Sequence, residues 1–512
     1  MSLSAEQVLK DADALVVKIG GDTAGRFQDV REMPDTLEDL QGREVPKVFV
    51  VSAVRSSAAE HARFAVGEGM GKGFNTTTHL NAMADALKEG RGAEAEDCLK
   101  AVHDFTKAVI DQRVEGVLIK ALRTKLEEMI WKLGYDVREA AEAGYVGREA
   151  RFLRVGEDRI FGAKDGGIRS FTGFGEQLAE ELLAKNFFGA SIGVQRLGIG
   201  EREGLNSFYF DEFGRLDLEN AEKRTEAFLK EQLAGTLDSW VTGGAFPGMM
   251  KSRGYSDVAA VAAMNAMNRP NGALVVGKES PIWSVDPVDF PGEGALVSGL
   301  TRSTSTELFG PHGLDAGALH PDAVKDLHHP AVVFNPRRLE LGMTLISDDC
   351  EVREGVLVVG RKPIPAVVRV SSPDMVDRHG VFQKVMDSLQ GAVVSHTYTS
   401  EARIIVTVNG KVENLTGREL EARLQGEFDA SYTVRVTPNG HSMVFALGNA
   451  LEGAREVGLA CTALHNAGIK VAFQDLVTEA GVMKFVVASD DAKRAVGVLH
   501  EVLVKDRATL SA

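Results

Sequence analysis

The chain has little cysteine. Cys98, Cys350 and Cys461 are its three, far apart in 512 residues and outside any CxxC or Cys/His spacing. Neither a disulfide framework nor a structural zinc site follows, and a reducing compartment fits. A long apolar run is also missing: none approaches the roughly 18 residues that span a bilayer. The N-terminal MSLSAEQVLKDADALVV mixes charges into its apolar residues, so the expectation is a cytoplasmic protein without a membrane partner. Nor is there an excess of basic residues. Lys+Arg 58 against Asp+Glu 73 leaves a net charge of −15, which argues against nucleic acid as a partner. His312, His320, His328 and His329 lack paired carboxylates or a helical spacing, so no metal site is read from them. The chain is 44% hydrophobic and 26% charged, a composition that supports two to four domains with real cores.

Phe246 to Met267, FPGMMKSRGYSDVAAVAAMNAM, is the most informative stretch. A glycine-spaced loop carrying Lys251 and Arg253 runs through Ser256-Asp257 into an alanine-rich helix, with Ser256 as the expected N-cap. The N–H groups of a first helical turn receive anions, and Arg253 adds a planar bidentate donor for carboxylate or phosphate. The plainer reading is an ordinary capped helix. Ala14 to Ile19, ALVVKI, is a buried-strand pattern ending in Gly20-Gly21-Asp22-Thr23, where backbone N–H groups can approach a phosphate that Lys18 neutralises. A tight turn with an exposed lysine is the alternative. VFVV at 48–51 repeats the theme before Ser52-Ala53, and two strands feeding polar loops suggest an α/β sheet with ligands at the strand C-terminal ends.

GEGMGKG at 67–73 resembles a Walker loop, but Gly73 stands where Ser or Thr belongs and no strand precedes it; it reads as a loop. Helical spacing runs from Thr78 to about Arg148. Another helix covers 171–188, with Glu176 in its first turn, either a dipole partner or a receptor for an ammonium group. Leu274 to Val276 and Ile282 to Val285 read as short strands around Gly277-Lys278. Beyond Cys350 the chain repeats strand-helix-strand in units of roughly 60–80 residues, the length of a βαββαβ module.

Taken in order, these motifs resemble those of the aspartate kinases. Lys18-Ile19-Gly20-Gly21-Asp22-Thr23 resembles the family's KFGG(T/S)S, Val50-Val51-Ser52-Ala53 its VVSA, Gly175-Glu176 its SxGE, and Ser252-Arg253-Gly254-Tyr255-Ser256-Asp257 its GRGGSD. Trp283-Ser284-Val285-Asp286-Pro287 resembles YxxDP, Leu319-His320-Pro321 the LHP stretch, and Gly342-Met343-Thr344-Leu345-Ile346 the closing GTxI. The resemblance implies an α/β amino-acid-kinase sandwich with a central, mostly parallel sheet over 1–350. Two ferredoxin-like ACT domains follow in 351–512, about 363–440 and 441–505, with interleaving allowed. It implies transfer of the ATP γ-phosphoryl group to the β-carboxylate of L-aspartate, with Mg2+. Lys18 would stabilise charge on the transferred group, supported by Asp257, while Glu176, Arg253, Ser256 and Ser52 would hold the amino acid. Gly20, Gly21, Thr23, Lys278, Trp283 and Asp286 would face the nucleotide. Met375, Gly380, Ser395, Ser400 and Glu401 would form an amino-acid effector site, and the ACT domains would pair copies into a homodimer or homotetramer.

Departures from the family pattern cluster on the nucleotide side. Tyr255 replaces a glycine, Ala58 a threonine, Gly277-Lys278 a Thr-Asp pair, Trp283 a tyrosine, and Val288 and Gly317 two cations. Ser395 stands where an aspartate usually receives an effector lysine. Three readings follow: an aspartate kinase, with dedication to a branch such as ectoine synthesis as its narrower form; a related amino-acid kinase with changed substrate or nucleotide; and a catalytically weak ACT-type sensor.

Overall fold

The computed structural model describes residues 3–21, 27–53, 55–56, 73–88, 90–113, 120, 122–124, 126–131, 195–196, 240–243, 255–267, 269–309, 319, 323–324, 326–352, 354–375, 380–389, 393–409, 417–449, 454–477 and 481–505. Packing divides the chain into two compact units: Met1–Ile282 with Ala318–Glu351, and Trp283–Gly317 with Val352–Ala512.

In the first unit, short apolar runs form Ala14–Ile19 (β1), Lys47–Val51 (β2), Trp240–Gly243 (β3), Gly272–Gly277 (β4), Ala331–Phe334 (β5) and Met343–Ile346 (β6). They lie in the order β3-β2-β1-β4-β5-β6, and all neighbours are parallel except β5 and β6. Every residue of β1, β2 and β4 is buried, the reason these strands read as unbroken apolar runs rather than alternating ones. Leu15, Val17 and Ile19 face a core shared with helices α1 (Ala5–Asp11), α2 (Phe27–Gln41), α3 (Thr76–Lys88) and α4 (Gly92–Arg113). Strand alternation turns Val16 and Lys18 to the other side, where α5 (Tyr255–Met267) packs on β1, β2 and β4. Its Ala259, Ala260, Ala262 and Ala263 are buried, and a helix apolar on nearly all sides is a covered one. The helical lobe expected over 78–148 is present as α3, α4 and helical residues up to Trp131; its remainder and the helix expected at 171–188 lie outside the described residues.

The second unit is built on one antiparallel sheet. Its strands are β7 (Gly355–Ser371), β8 (Val393–Ser400), β9 (Arg403–Asn409), β10 (Thr433–Asn449), β11 (Val471–Val477) and β12 (Val482–Ala488), in the order β8-β9-β7-β10-β12-β11. The long strands β7 and β10 pair along their whole length, from Gly355 against Asn449 to Ser371 against Thr433, with irregularities at 356–358 and 364–366. One βαββαβ module therefore consists of 366–371, α7 (Val381–Ser388), β8, β9, α8 (Gly417–Gly426) and 433–438. A second consists of 441–449, α9 (Ala454–Asn466), β11, β12 and α10 (Ala492–His500), and takes its fourth strand from 355–364, ahead of the first module. Pro363, Pro365 and Pro438 stand where β7 and β10 pass from sheet edge to interior, positions at which a missing N–H is tolerated. Separate apolar cores lie beneath the helices of each module.

Trp283–Gly317, read from the sequence as part of the 1–350 domain, packs with the second unit. The strand expected at Ile282–Val285 is instead an isolated bridge, Trp283 to Leu296, followed by a turn. In that turn Asp286 Oδ1 accepts from the Val288 N–H at 2.8 Å and the Asp286 carbonyl from Phe290 N–H at 2.9 Å. Ser284 explains the difference, since besides its bonds to Ala295 it makes two to the second module. Its carbonyl accepts from Val359 N–H at 2.8 Å, and its hydroxyl lies 2.8 Å from His500 Nε2 in a buried contact. Burial, reinforced by the Lys505 cation, holds the His500 imidazole below its ordinary value despite Glu293 and Glu501. Arg361 adds an ion pair to Asp289 at 2.8 Å. Among the described residues no helix is long and apolar enough to cross a membrane.

Candidate functional site

The parallel strands of the first unit all end on one edge of the sheet. Lys18 lies opposite Val50 on one side and Val276 on the other, so Gly20, Ser52 and Lys278 leave neighbouring strand ends together. From β1 the chain steps first to β2 and β3 on one side and later to β4 and β5 on the other. Such a reversal of strand order opens a crevice beyond the strand carboxyl ends, where ligands of α/β sheets bind.

Lys18 Nζ is 2.5 Å from Asp257 Oδ1, and the two side chains are only 6% and 9% exposed. This contact joins the end of β1 to the first turn of α5, which packs on the face to which Lys18 points. Ser52 follows β2; its N–H donates to the Ile19 carbonyl at 3.0 Å and its hydroxyl to Ser256 Oγ at 2.9 Å. The helix begins at Tyr255, so Ser256 sits inside the first turn and not at the expected N-cap; its hydroxyl is engaged by Ser52. Gly20 N–H points at the Gly277 carbonyl, 3.5 Å away. A methyl group on Gly20 would lie 3.8 Å from Lys278 Cδ, so the stem of Lys278 passes over this glycine.

Lys18, Gly20, Gly21, Ser52, Ser256, Asp257 and Lys278 are thus all carried by the strand ends and the helix that meets them. Thr23, Glu176 and Arg253 lie outside the described residues. Trp283 and Asp286 belong to the second compact unit, with the turn contacts given above. In the first βαββαβ module Met375 is buried in the core, Gly380 takes φ +84° at the start of α7, Ser395 lies within β8, and Ser400 and Glu401 are exposed at the strand end. Two polar side chains at the strand ends escaped the sequence reading: Asn335, which follows β5, and the Thr344 hydroxyl on β6. The signal for Asn335 was available, a polar residue directly after the apolar run AVVF, as Ser52 follows VFVV.

Two cations at the crevice, Lys18 and Lys278, with the N–H groups of Gly21 and the first turn of α5, suit a group carrying several negative charges. The fold is an α/β unit on a mostly parallel sheet and a second unit of two ferredoxin-like modules. No protein-family model matches the sequence, and no curated protein does. Solved structures do: the chain has the fold of aspartokinases. Escherichia coli aspartokinase III in complex with aspartate and ADP superposes with a TM-score of 0.68 at 19% identity, over 96% of this chain and 99% of that one. The same enzyme with lysine and aspartate gives 0.65 at 19% identity, over 96% and 100%. Clostridium acetobutylicum aspartate kinase gives 0.61 at 17% identity, over 96% and 99%.

Proposed function

We propose that this protein is an aspartate kinase, transferring the γ-phosphoryl group of ATP to the β-carboxylate of L-aspartate to give 4-phospho-L-aspartate. The observation that carries this reading is the buried Lys18–Asp257 pair at a crevice lined by Ser52 and Ser256, in a chain with the aspartokinase fold over 96% of its length. A carboxylate oxygen attacks the γ-phosphorus, the bond to the β,γ-bridging oxygen breaks, and ADP leaves. The protein's part is to position the two anions and offset their charge.

Asp257 holds the Lys18 ammonium at the crevice, where it stabilises charge on the phosphoryl group in flight. Ser52 and Ser256 meet the amino acid, together with Glu176 and Arg253, which by motif would take its ammonium and α-carboxylate. Mg2+ ions of this kind are held by one or two carboxylates plus substrate phosphates. Asp257 is the described carboxylate at the crevice, and a bound Mg2+ would neutralise phosphate charge. The ACT modules bind an amino-acid effector near Met375, Gly380, Ser395, Ser400 and Glu401, and join copies of the chain into a homodimer or homotetramer.

A hydroxamate assay with ATP and either aspartate or glutamate tests the reading. Product with aspartate supports it, product with glutamate alone moves the acceptor, and neither product with retained amino-acid binding leaves a sensor. Lys278→Ala is expected to raise the KM for ATP and leave that for aspartate nearly unchanged, with a smaller loss at high salt, where screening weakens the ammonium in the parent protein. An unchanged ATP dependence would place phosphate binding on Lys18 and the backbone alone. Lysine is expected to inhibit weakly, because Ser395 offers a neutral hydroxyl where a charged acceptor would bind an ammonium more strongly. Inhibition by sub-millimolar lysine would refute this.

A further inference from the structure

The cation that faces the nucleotide in this reading, Lys278, sits at the start of an irregular turn, residues 278–282. A lysine ammonium rides on a flexible four-carbon stem, so the position of its backbone sets the region that ammonium can reach. Three hydrogen bonds locate that backbone. Lys278 N–H donates to the Phe334 carbonyl at 3.0 Å, the last residue of β5. Asn335, 9% exposed, donates from Nδ2 to the Glu279 carbonyl at 2.6 Å. Thr344, fully buried on β6, accepts the Ile282 N–H on Oγ1 at 3.0 Å. Two of the three pins are side chains, one at each end of the turn, and Pro281 between them has no N–H to contribute.

We infer that Asn335 and Thr344 are positioning residues for nucleotide binding, fixing the 278–282 turn so that Lys278 leaves it across Gly20. The inference rests on the nucleotide assignment of Lys278 above. Both residues come from strands on the β4 side of the sheet, away from Ser52 and Ser256, so their effect belongs to the nucleotide and not to the amino acid. Asn335 does two things at once: its Oδ1 accepts the Arg337 N–H at 2.9 Å while Nδ2 holds Glu279. Aspartate at this position keeps the first contact, which shapes the chain after β5. It loses the second and sets a negative oxygen against the Glu279 carbonyl. Valine at 344 matches threonine in shape and removes the acceptor, whereas serine retains it.

The test is calorimetric binding of ADP with Mg2+ to the full chain, which needs no acceptor carboxylate, beside KM for both substrates. Asn335→Asp and Thr344→Val are each expected to weaken ADP binding about tenfold, the scale of one buried hydrogen bond, with the amino-acid KM unchanged and Thr344→Ser close to the parent. In a Lys278→Ala background, Asn335→Asp is expected to add less than about twofold, because its effect passes through the residue already removed. An equal loss in both backgrounds, parallel shifts of both KM values, or ADP binding as tight as in the parent would overturn the inference. If the parent binds ADP but phosphorylates no amino acid, only the acceptor assignment falls and the comparison still decides. If the parent does not bind ADP, the nucleotide reading and this inference fall together.

Discussion

Lys18→Ala is expected to lower turnover about 10²–10³-fold, the usual cost of losing one preorganised charge contact to a transition state, with a much smaller change in aspartate affinity. The asymmetry follows from where charge moves: the ammonium gains most when the phosphoryl group is between donor and acceptor. The side chain is 6% exposed and paired with Asp257, so water screens it little. Removing one partner of a buried pair also strands the other, a destabilisation of about 3–5 kcal/mol. Turnover must therefore be separated from folding. The double variant Lys18→Ala/Asp257→Asn removes both charges and is expected to recover most of the thermal stability without recovering turnover. Near-normal turnover in Lys18→Ala would remove this residue from the reaction.

Gly448→Ala is expected to unfold the second unit at a markedly lower temperature. A Cβ at Gly448 would overlap the Gly355 carbonyl and come within 2.8 Å of Val356 Cα. Both are backbone atoms at the pairing of β7 with β10 and cannot rotate away. Gly481, at φ +63°, closes the same spot, its carbonyl accepting the Gly448 N–H at 2.9 Å. Overpacking costs about 1–3 kcal/mol where side chains can give; here a strand must move, and the upper end or beyond is expected. For a unit of this size each kcal/mol lowers the transition by about 2–4 °C. Gly458→Ala is the control, because its helix leaves open space around the new methyl and alanine favours a helix over glycine by about 0.5–1 kcal/mol. Melting of the two variants at the same temperature would mean that the three backbones do not meet as described.

Much of the first unit was legible because its central strands are continuous apolar runs bounded by glycines and polar residues. ALVVKI, KVFVV and GALVVG carry their burial in their composition, and Gly20, Ser52 and Lys278 follow from where those runs stop. The Lys18–Asp257 contact was legible only through motif order, since 239 positions separate residues that one helix brings together. What escaped is what packing decides. Ser284 looks like part of a strand in sequence, yet its hydroxyl is spoken for by His500, 216 positions away. Pro363, Pro365 and Pro438 look like boundaries, because a sequence cannot show that one side of the strand is an edge where the missing N–H goes unneeded. Asn335 was passed over for a different reason: its place directly after AVVF marks a strand end, but that its amide acts on a turn of another segment is set by packing.

The interleaved modules set an order of events on the ribosome. Residues 355–364 emerge before any of the first module, but their partner strand begins at 441. At about 5–20 residues per second, the roughly 80 residues between them take on the order of 4–16 s to synthesise. The first module can close on itself as soon as 438 is out, which brings 355–364 and the oncoming 441–449 side by side through the continuous strands they share. The early strand spends that interval as an unpaired edge, the kind of surface on which neighbouring nascent chains pair wrongly. Pro363 within it and Pro365 just beyond it lie at the end nearest the first module, where a growing sheet from another chain would meet missing donors.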